Sequence, residues 1–283
     1  MLKNAMLSLL VLLGWVSTAA ALPQPFTVRV GDFRVSTLVE AENRGGREIL
    51  IGASDEDAAA FLDADGTYAT AVSTYLIRSP EGAFLVDTGF GRNLAANLKA
   101  LGLSPAAVRK VLITHSHGDH IGGLLKDGRA AFPSAQVYAS AQEFGWSENM
   151  RTMLEKYRGR VRTFEPGTFD APGTGVARGI GTIAAFGHTP GHTLFLLESR
   201  GERLLIWGDL AHAMQIQMPR PDVSVTYDDN PAQAAAVRRS VLHWAAKNEV
   251  PVAGMHIPYP GIGRIVEDAE EPGGYRFIPL EGK

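Results

Sequence analysis

Residues Thr114-His115-Ser116-His117-Gly118-Asp119-His120 put three histidines and one carboxylate within six positions. Imidazole nitrogen is the commonest side-chain metal ligand, and a carboxylate oxygen complements it on zinc. The run is the continuation of Val108–Thr114, which reads as a buried strand, so the ligand-dense segment is a loop at a strand's end. In so tight a loop, His115 and His117 can face one cation while Asp119 and His120 turn to a neighbour, and Gly118 supplies the backbone freedom for that turn. A lone histidine is more often a hydrogen-bonded structural residue than a ligand; a cluster this dense is not explained that way.

One loop cannot close two sites, and three later segments offer partners. His188-Thr189-Pro190-Gly191-His192, Gly208-Asp209 and Met255-His256 each follow a strand pattern, and open α/β sheets place their sites where strands meet loops. Further strands are expected at Phe26–Val30, Phe33–Glu40, Ala71–Arg78, Ala83–Val86, Gln136–Ala139, Thr182–Phe186, Thr193–Glu198, Arg203–Trp207 and Val250–Met255. Helices are expected at Asn93–Leu101, after Ser104-Pro105, at Met150–Tyr157 and at Pro231–Lys247, the last capped by Asn230. Gly45-Gly46 and the acidic run Asp55-Glu56-Asp57 to Asp65-Gly66 read as loop plus a short helix. Strands alternating with helices, without a Gly-x-Gly-x-x-Gly turn or a Walker loop, indicate a layered α/β domain that is no nucleotide binder.

The chain has 283 residues, 45% hydrophobic and 20% charged, with a formal charge of −3. Such a balance suits an ordinary globular protein and gives no basic footprint for nucleic acid, so a small-molecule substrate in a pocket is expected. The absence of cysteine removes disulfides, thiolate ligands and thiol nucleophiles together. At the start, Lys3, the apolar run Met6–Val16 and the small residues ending in Ala19-Ala20-Ala21 form a secretory signal pattern, with cleavage expected after Ala21. That run is short of the roughly 18 to 20 apolar residues needed to span a bilayer. A periplasmic or secreted protein, not held in a membrane after cleavage, is the expectation, with 22–283 forming one domain.

The HxHxDH run, with His192, Asp209, His256 and the strand-end Leu85-Val86-Asp87-Thr88-Gly89, resembles the metallo-β-lactamase superfamily over nearly the whole mature chain. The resemblance implies an αββα sandwich with two Zn2+ ions along one edge of the sheets, other divalent metals being compatible with the same ligands. It implies His115, His117 and His192 on one ion, Asp119, His120 and His256 on the other, and Asp209 bridging, with Asp87 steadying the ligand loop. His188 is assigned to shaping the Thr189-Pro190-Gly191 turn. His243 is read as a packing or surface residue.

Asp209 stands where one large group of true β-lactamases uses Cys, which points to the hydrolase branches. Trp207–His212, Met255–Gly263 and Gly274–Pro279 are similar to methyl parathion hydrolase and its lactonase-like relatives, for which a homodimer is also plausible. The expected activity is a binuclear zinc hydrolase that attacks a lactone, aryl ester or phosphotriester with a metal-bridging hydroxide. Asp119 and its ion would draw charge from the reacting oxygen and Asp209 would relay a proton. His212 would polarise the substrate carbonyl or make a supporting hydrogen bond. Phe144, Trp146 and Tyr259 are candidates for an apolar pocket wall. The alternatives are a zinc β-lactamase, a glyoxalase-type thioesterase, a non-catalytic zinc-binding ligand sensor, or di-iron redox chemistry.

Overall fold

Tyr75, Leu76 and Ile77 are consecutive, apolar and all fully buried, as are Phe84, Leu85 and Val86. Alternate side chains of a strand point to opposite faces, so such runs require a sheet covered on both sides. The computed structural model, which describes residues 23–281, supplies two of them. The predicted signal peptide, 1–21, lies outside the described residues.

The first seven-stranded sheet contains β1 (Phe26–Val30), β2 (Phe33–Gly46), β3 (Thr67–Ser79), β4 (Gly82–Val86), β5 (Val108–Leu112), β6 (Gln136–Ser140) and β7 (Val161–Phe164), neighbours in that order. The second contains β8 (Gly173–Ala177), β9 (Ile180–Ala184), β10 (Thr193–Ser199), β11 (Glu202–Ile206), β12 (Val252–Ala253), β13 (Ile262–Glu267) and β14 (Tyr275–Pro279), again in chain order. Strands β4 to β7 are parallel, as are β11 and β12; the other neighbours are antiparallel.

Tyr75, Ile77, Phe84 and Val86 face Phe195, Leu197, Leu204 and Ile206 in the core between the sheets. The alternate side chains on the outer faces build two more cores. Leu76, Leu85 and Val111 pack under α2 (Leu94–Ala100) and α5 (Glu148–Leu154). Leu194, Leu196 and Leu205 pack under α7 (Pro231–Lys247), through Val241, Leu242 and Ala245. Asn230 caps that helix by accepting from Gln233 N, and Pro231 opens it, as the sequence indicates. The layers are therefore α, β, β, α.

Gly45-Gly46 is not a loop. β2 and β3 run as a long hairpin out to the Gly46–Thr67 pair, and the Tyr68 ring lies where a Cβ on Gly45 would sit, so an aromatic cross-strand neighbour covers the missing side chain. The tip of this hairpin carries α1 (Asp55–Phe61), closed by a Ser54–Asp57 capping box. Ala58, Leu62 and Tyr68 meet Ala213, Ile216 and Val223 in a fourth apolar cluster, and Leu50–Ile51 pairs with Ser224–Val225. Residues 47–66 and 213–229 thus form a side lobe beside the sheet edge. Asp63 and Asp65 are exposed in a turn, as read from sequence. Strands β7, β8, β13 and β14 carry no clear sequence pattern and were not expected.

Candidate metal centre

The parallel strands β4 and β5 end together, and the loops leaving them carry Asp87 and the 115–120 run. The parallel pair β11 and β12 delivers Asp209 and His256 to the same edge. Asp209 is the meeting point. His120 Nε2 lies 3.0 Å from its Oδ1; His256 Nε2 at 3.0 Å, His188 Nε2 at 3.3 Å and His115 Nε2 at 3.5 Å surround its Oδ2.

Two groups share this carboxylate. In the first, His188 Nε2 is 3.2 Å from His115 Nε2 and 3.0 Å from His117 Nδ1. In the second, Asp119 Oδ2 is 3.7 Å from His120 Nε2 and 3.5 Å from His256 Nε2. Tetrahedral zinc with bonds of about 2.0 to 2.1 Å keeps its ligand atoms about 3.3 Å apart, so both groups have the span of such a site. His120 Nε2 and Asp209 Oδ1 are buried and neither makes a hydrogen bond, although only 3.0 Å separates them. Buried polar atoms are rarely left so, and a cation between them would satisfy both.

The expectation puts His192 in the first group and His188 in the turn; in the structure it is His188, and not His192, whose nitrogen lies among those of the first group. Both ring nitrogens of His192 are engaged with backbone: Nδ1 donates to Ala185 O (3.0 Å) and Nε2 accepts from Asp209 N (3.1 Å). His192 thereby holds the main chain of Asp209, one step behind the cage. His188 Nδ1 donates to Asp228 Oδ1 (2.8 Å), which aims Nε2 inward. Spacing within His-Thr-Pro-Gly-His cannot separate the two, because either ring could reach the edge.

Each buried imidazole in the cage has its outer nitrogen fixed. Asp87 accepts from His120 Nδ1 (2.7 Å), Thr114 N (2.8 Å) and Thr114 Oγ1 (2.6 Å), and these contacts hold Asp87 in the left-handed region at φ 60°. Ala71 O accepts from His256 Nδ1 (2.8 Å). Asp228 is backed by the buried Arg238 at 3.8 Å, whose guanidinium also donates to Leu210, Pro221 and Val223 carbonyls. Asp228, Arg238 and Glu143, whose carboxylate joins the two histidine loops, were not read from sequence. They lie far along the chain from the histidines they serve.

Burial and neighbouring histidines hold His115 well below its ordinary value and His117 down to about 4, so both are neutral, the form in which an imidazole can take a metal. Burial and the nearby His188 push His192 down to about 3. Burial opposes charge on His188, but Asp209 and Asp228 outweigh it and raise His188 to about 9. His120 is likewise raised against burial by Asp209, Asp119 and Asp87. A pocket that stabilises a proton this strongly has the field that favours a cation.

His212 Nε2 lies 3.0 Å from Asp209 Oδ2, with its ring stacked on His256 at 4.6 Å; its Nδ1 is buried without a partner. Of the expected wall aromatics, Phe144 packs against the outer core of the first sheet and Tyr259 lies edge-on to Phe26 at 6.3 Å. Trp146 is exposed. The aromatic found beside the centre is Tyr227, half-exposed, its ring 5.9 Å from that of His212. His243 is on the surface.

The metallo-beta-lactamase superfamily description matches residues 67–256, and the chain belongs to that superfamily of metallo-hydrolases. Its fold is similar to that of a hydrolase of the beta-lactamase superfamily, AbOPH (26% identity, TM-score 0.80, covering 93% of this chain and 100% of that one). It is also similar to AidC, a dizinc quorum-quenching lactonase (21% identity, TM-score 0.81, 92% and 98%), a likeness of fold. Among curated proteins, the atrochrysone carboxyl ACP thioesterase of Passalora fulva is 31% identical over 149 residues, 48% of this chain and 37% of that protein. The hydroxyacylglutathione hydrolase of Methylobacillus flagellatus is 30% identical over 136 residues, 48% and 45%. The matches to curated relatives span between 37% and 54% of those proteins' length.

Proposed function

We propose that this protein is a binuclear zinc hydrolase that opens an ester-like bond (lactone, aryl ester or phosphotriester) in a small, uncharged molecule. The observation that carries this is the placement of Asp209 between two ligand groups. His115, His117 and His188 would hold one ion, Asp119, His120 and His256 the other, and Asp209 both. Ions held there would supply Lewis acidity and would bring the pKa of water toward about 7.

The chain's own groups do the rest. Asp209 would take the proton released on attack, and His212, 3.0 Å from its Oδ2, would fix that carboxylate's orientation. Tyr227 offers a half-exposed ring beside His212 for an acyl or aryl group. Among the described residues, Arg238 is the one basic side chain that bonds or pairs with a group of the centre, and it is buried behind Asp228. A neutral substrate fits that environment better than an anionic one.

A thioester substrate is the second reading, favoured by the thioesterase and hydroxyacylglutathione hydrolase among the relatives. The test is elemental analysis of the purified protein followed by turnover of γ-lactones, aryl esters, phosphotriesters, acyl thioesters and nitrocefin. About two zinc ions per chain, with lactone or aryl-ester turnover abolished by chelation and restored by Zn2+, is the expected result. Full metal occupancy with thioester turnover alone would replace the first reading by the second, and turnover confined to nitrocefin would mean a β-lactamase.

A further inference from the structure

Glu143 is 1% exposed, and among the described residues its carboxyl pairs with no basic side chain; hydrogen bonds occupy both of its oxygens. Its Oε1 accepts from Ser116 N (2.8 Å) and Ser116 Oγ (2.5 Å). Its Oε2 accepts from Thr189 Oγ1 (2.7 Å) and Gly191 N (3.0 Å). One oxygen therefore grips the residue between His115 and His117, and the other grips the turn that begins at His188. The carboxylate is itself placed by the start of α4 (Ala141–Trp146), where Ser140 Oγ accepts from Glu143 N and donates to Gly191 O. The turn lies so close that a Cβ on Gly191 would stand 2.2 Å from Glu143 N.

We infer that Glu143 is a positioning residue for the metal centre: it sets the register between the two histidine loops so that His115, His117 and His188 converge on one ion. Two loops from different sheets must agree to within a fraction of an ångström for three imidazoles to share a cation. A backbone hydrogen bond from Thr193 N to Thr114 O (3.0 Å) ties their flanks, and Glu143 clasps the 115–117 and 188–191 spans themselves. A buried carboxylate with four donors supplies that agreement, because each bond is charge-assisted and stronger than a neutral one. The second group is outside this clasp, its histidines being fixed by Asp87 and Ala71 O. The inference rests on the metal reading above and adds that the two ions depend on different residues.

Glu143→Gln is a sharp probe despite its near-identical shape. Each carboxylate oxygen meets one backbone N–H, that of Ser116 or of Gly191, which cannot reverse its role. Whichever way the amide is turned, its NH2 faces a donor. The experiment is a cobalt(II) titration of chelator-treated full-length protein, following the visible d–d bands, with amide exchange at Ser116 and Gly191 and thermal melting of the metal-depleted form. Wild type is expected to take two ions. Glu143→Gln should bind one with unchanged affinity and the other about 10- to 100-fold more weakly, with altered bands for that ion and faster exchange at both amides. Thr189→Val and Ser116→Ala, which each remove one hydroxyl, should give smaller losses confined to the same ion and keep the result readable if the Gln variant does not fold.

Two ions bound by every folded variant with wild-type affinities and bands would overturn the positioning role, as would an equal loss at both ions. Failure of the wild type itself to bind two ions would overturn the metal reading and the inference with it.

Discussion

The half of the proposed centre formed by His115, His117 and His188 is braced by side chains reaching from distant segments, Glu143 from a six-residue helix and Asp228 from the side lobe. The half made by Asp119, His120 and His256 is braced at the strand ends themselves, by Asp87 at the end of β4 and by the carbonyl of Ala71 within β3. Strand ends are fixed by the sheet and its core, whereas the side lobe and the 188–191 turn are held by a few specific contacts. The second half should therefore be the more robust site, and the first the one that mutations at a distance can empty.

The largest effects should come from the ligand cage. Asp209→Ala removes the shared group, and hydrolysis is expected to fall by on the order of 10³-fold or more, equivalent to at least about 4 kcal/mol of transition-state stabilisation. His188→Ala should lower the metal content from two ions to one. His192→Ala should retain two ions, each bound more weakly, because it loosens the main chain of Asp209 without removing a ligand atom. Elemental analysis of the three purified variants checks this. Loss of an ion in His192→Ala but not in His188→Ala would return His192 to the cage.

Smaller changes should come from the braces. Asp228→Asn keeps the shape but weakens the acceptor for His188 Nδ1, and Asp87→Asn does the same for His120. Losses of about 10- to 100-fold in metal affinity are typical for such outer carboxylates. Each should fall on its own half, and competition with a chelator resolves two affinities in each variant. If Asp228→Asn weakened both ions equally, the two halves would not be separable and the contrast drawn above would be lost.

The layered α/β architecture was legible because strands buried on both faces write themselves as apolar runs, as in Val111–Ile113 and Leu204–Trp207. The candidate ligand loop was legible because three histidines and Asp119 sit in one short segment. What stayed hidden depends on distance or orientation. Whether His188 or His192 turns inward is decided by Asp228, forty residues from His188, and by the carbonyl of Ala185. Glu143 looks like any acidic residue in the first turn of a helix until Ser116, Thr189 and Gly191 are brought around it. Gly45 reads as a breaker because glycine usually is one, and the Tyr68 ring that covers it belongs to the other arm of the hairpin. Tyr227 carries no periodic pattern at all.

The mildest test concerns how the side lobe that supplies Asp228 is attached. Arg220 Nε donates to Asp57 Oδ1 and its Nη1 to Glu271 Oε2, both at 2.7 Å, joining α1 to the 213–229 segment. The hydrogen bond from Ser54, helped by Arg220 and opposed by partial burial, holds the Asp57 carboxyl below its ordinary value of 3.8. A carboxylate whose pKa is lower in the folded state contributes stability above its unfolded value, and loses it as the pH falls through the folded one. Asp57→Asn should therefore melt lower than wild type at pH 7, with the gap closing as the pH drops below about 4. For a pair this accessible the effect is about 1 kcal/mol or less, a few degrees in Tm at most. Melting curves of both proteins from pH 7 to 3 measure it. A gap that stays constant with pH would mean that the apolar cluster of Leu62, Tyr68 and Ile216 alone fastens the lobe. In that case the first half of the centre depends on packing rather than on charge.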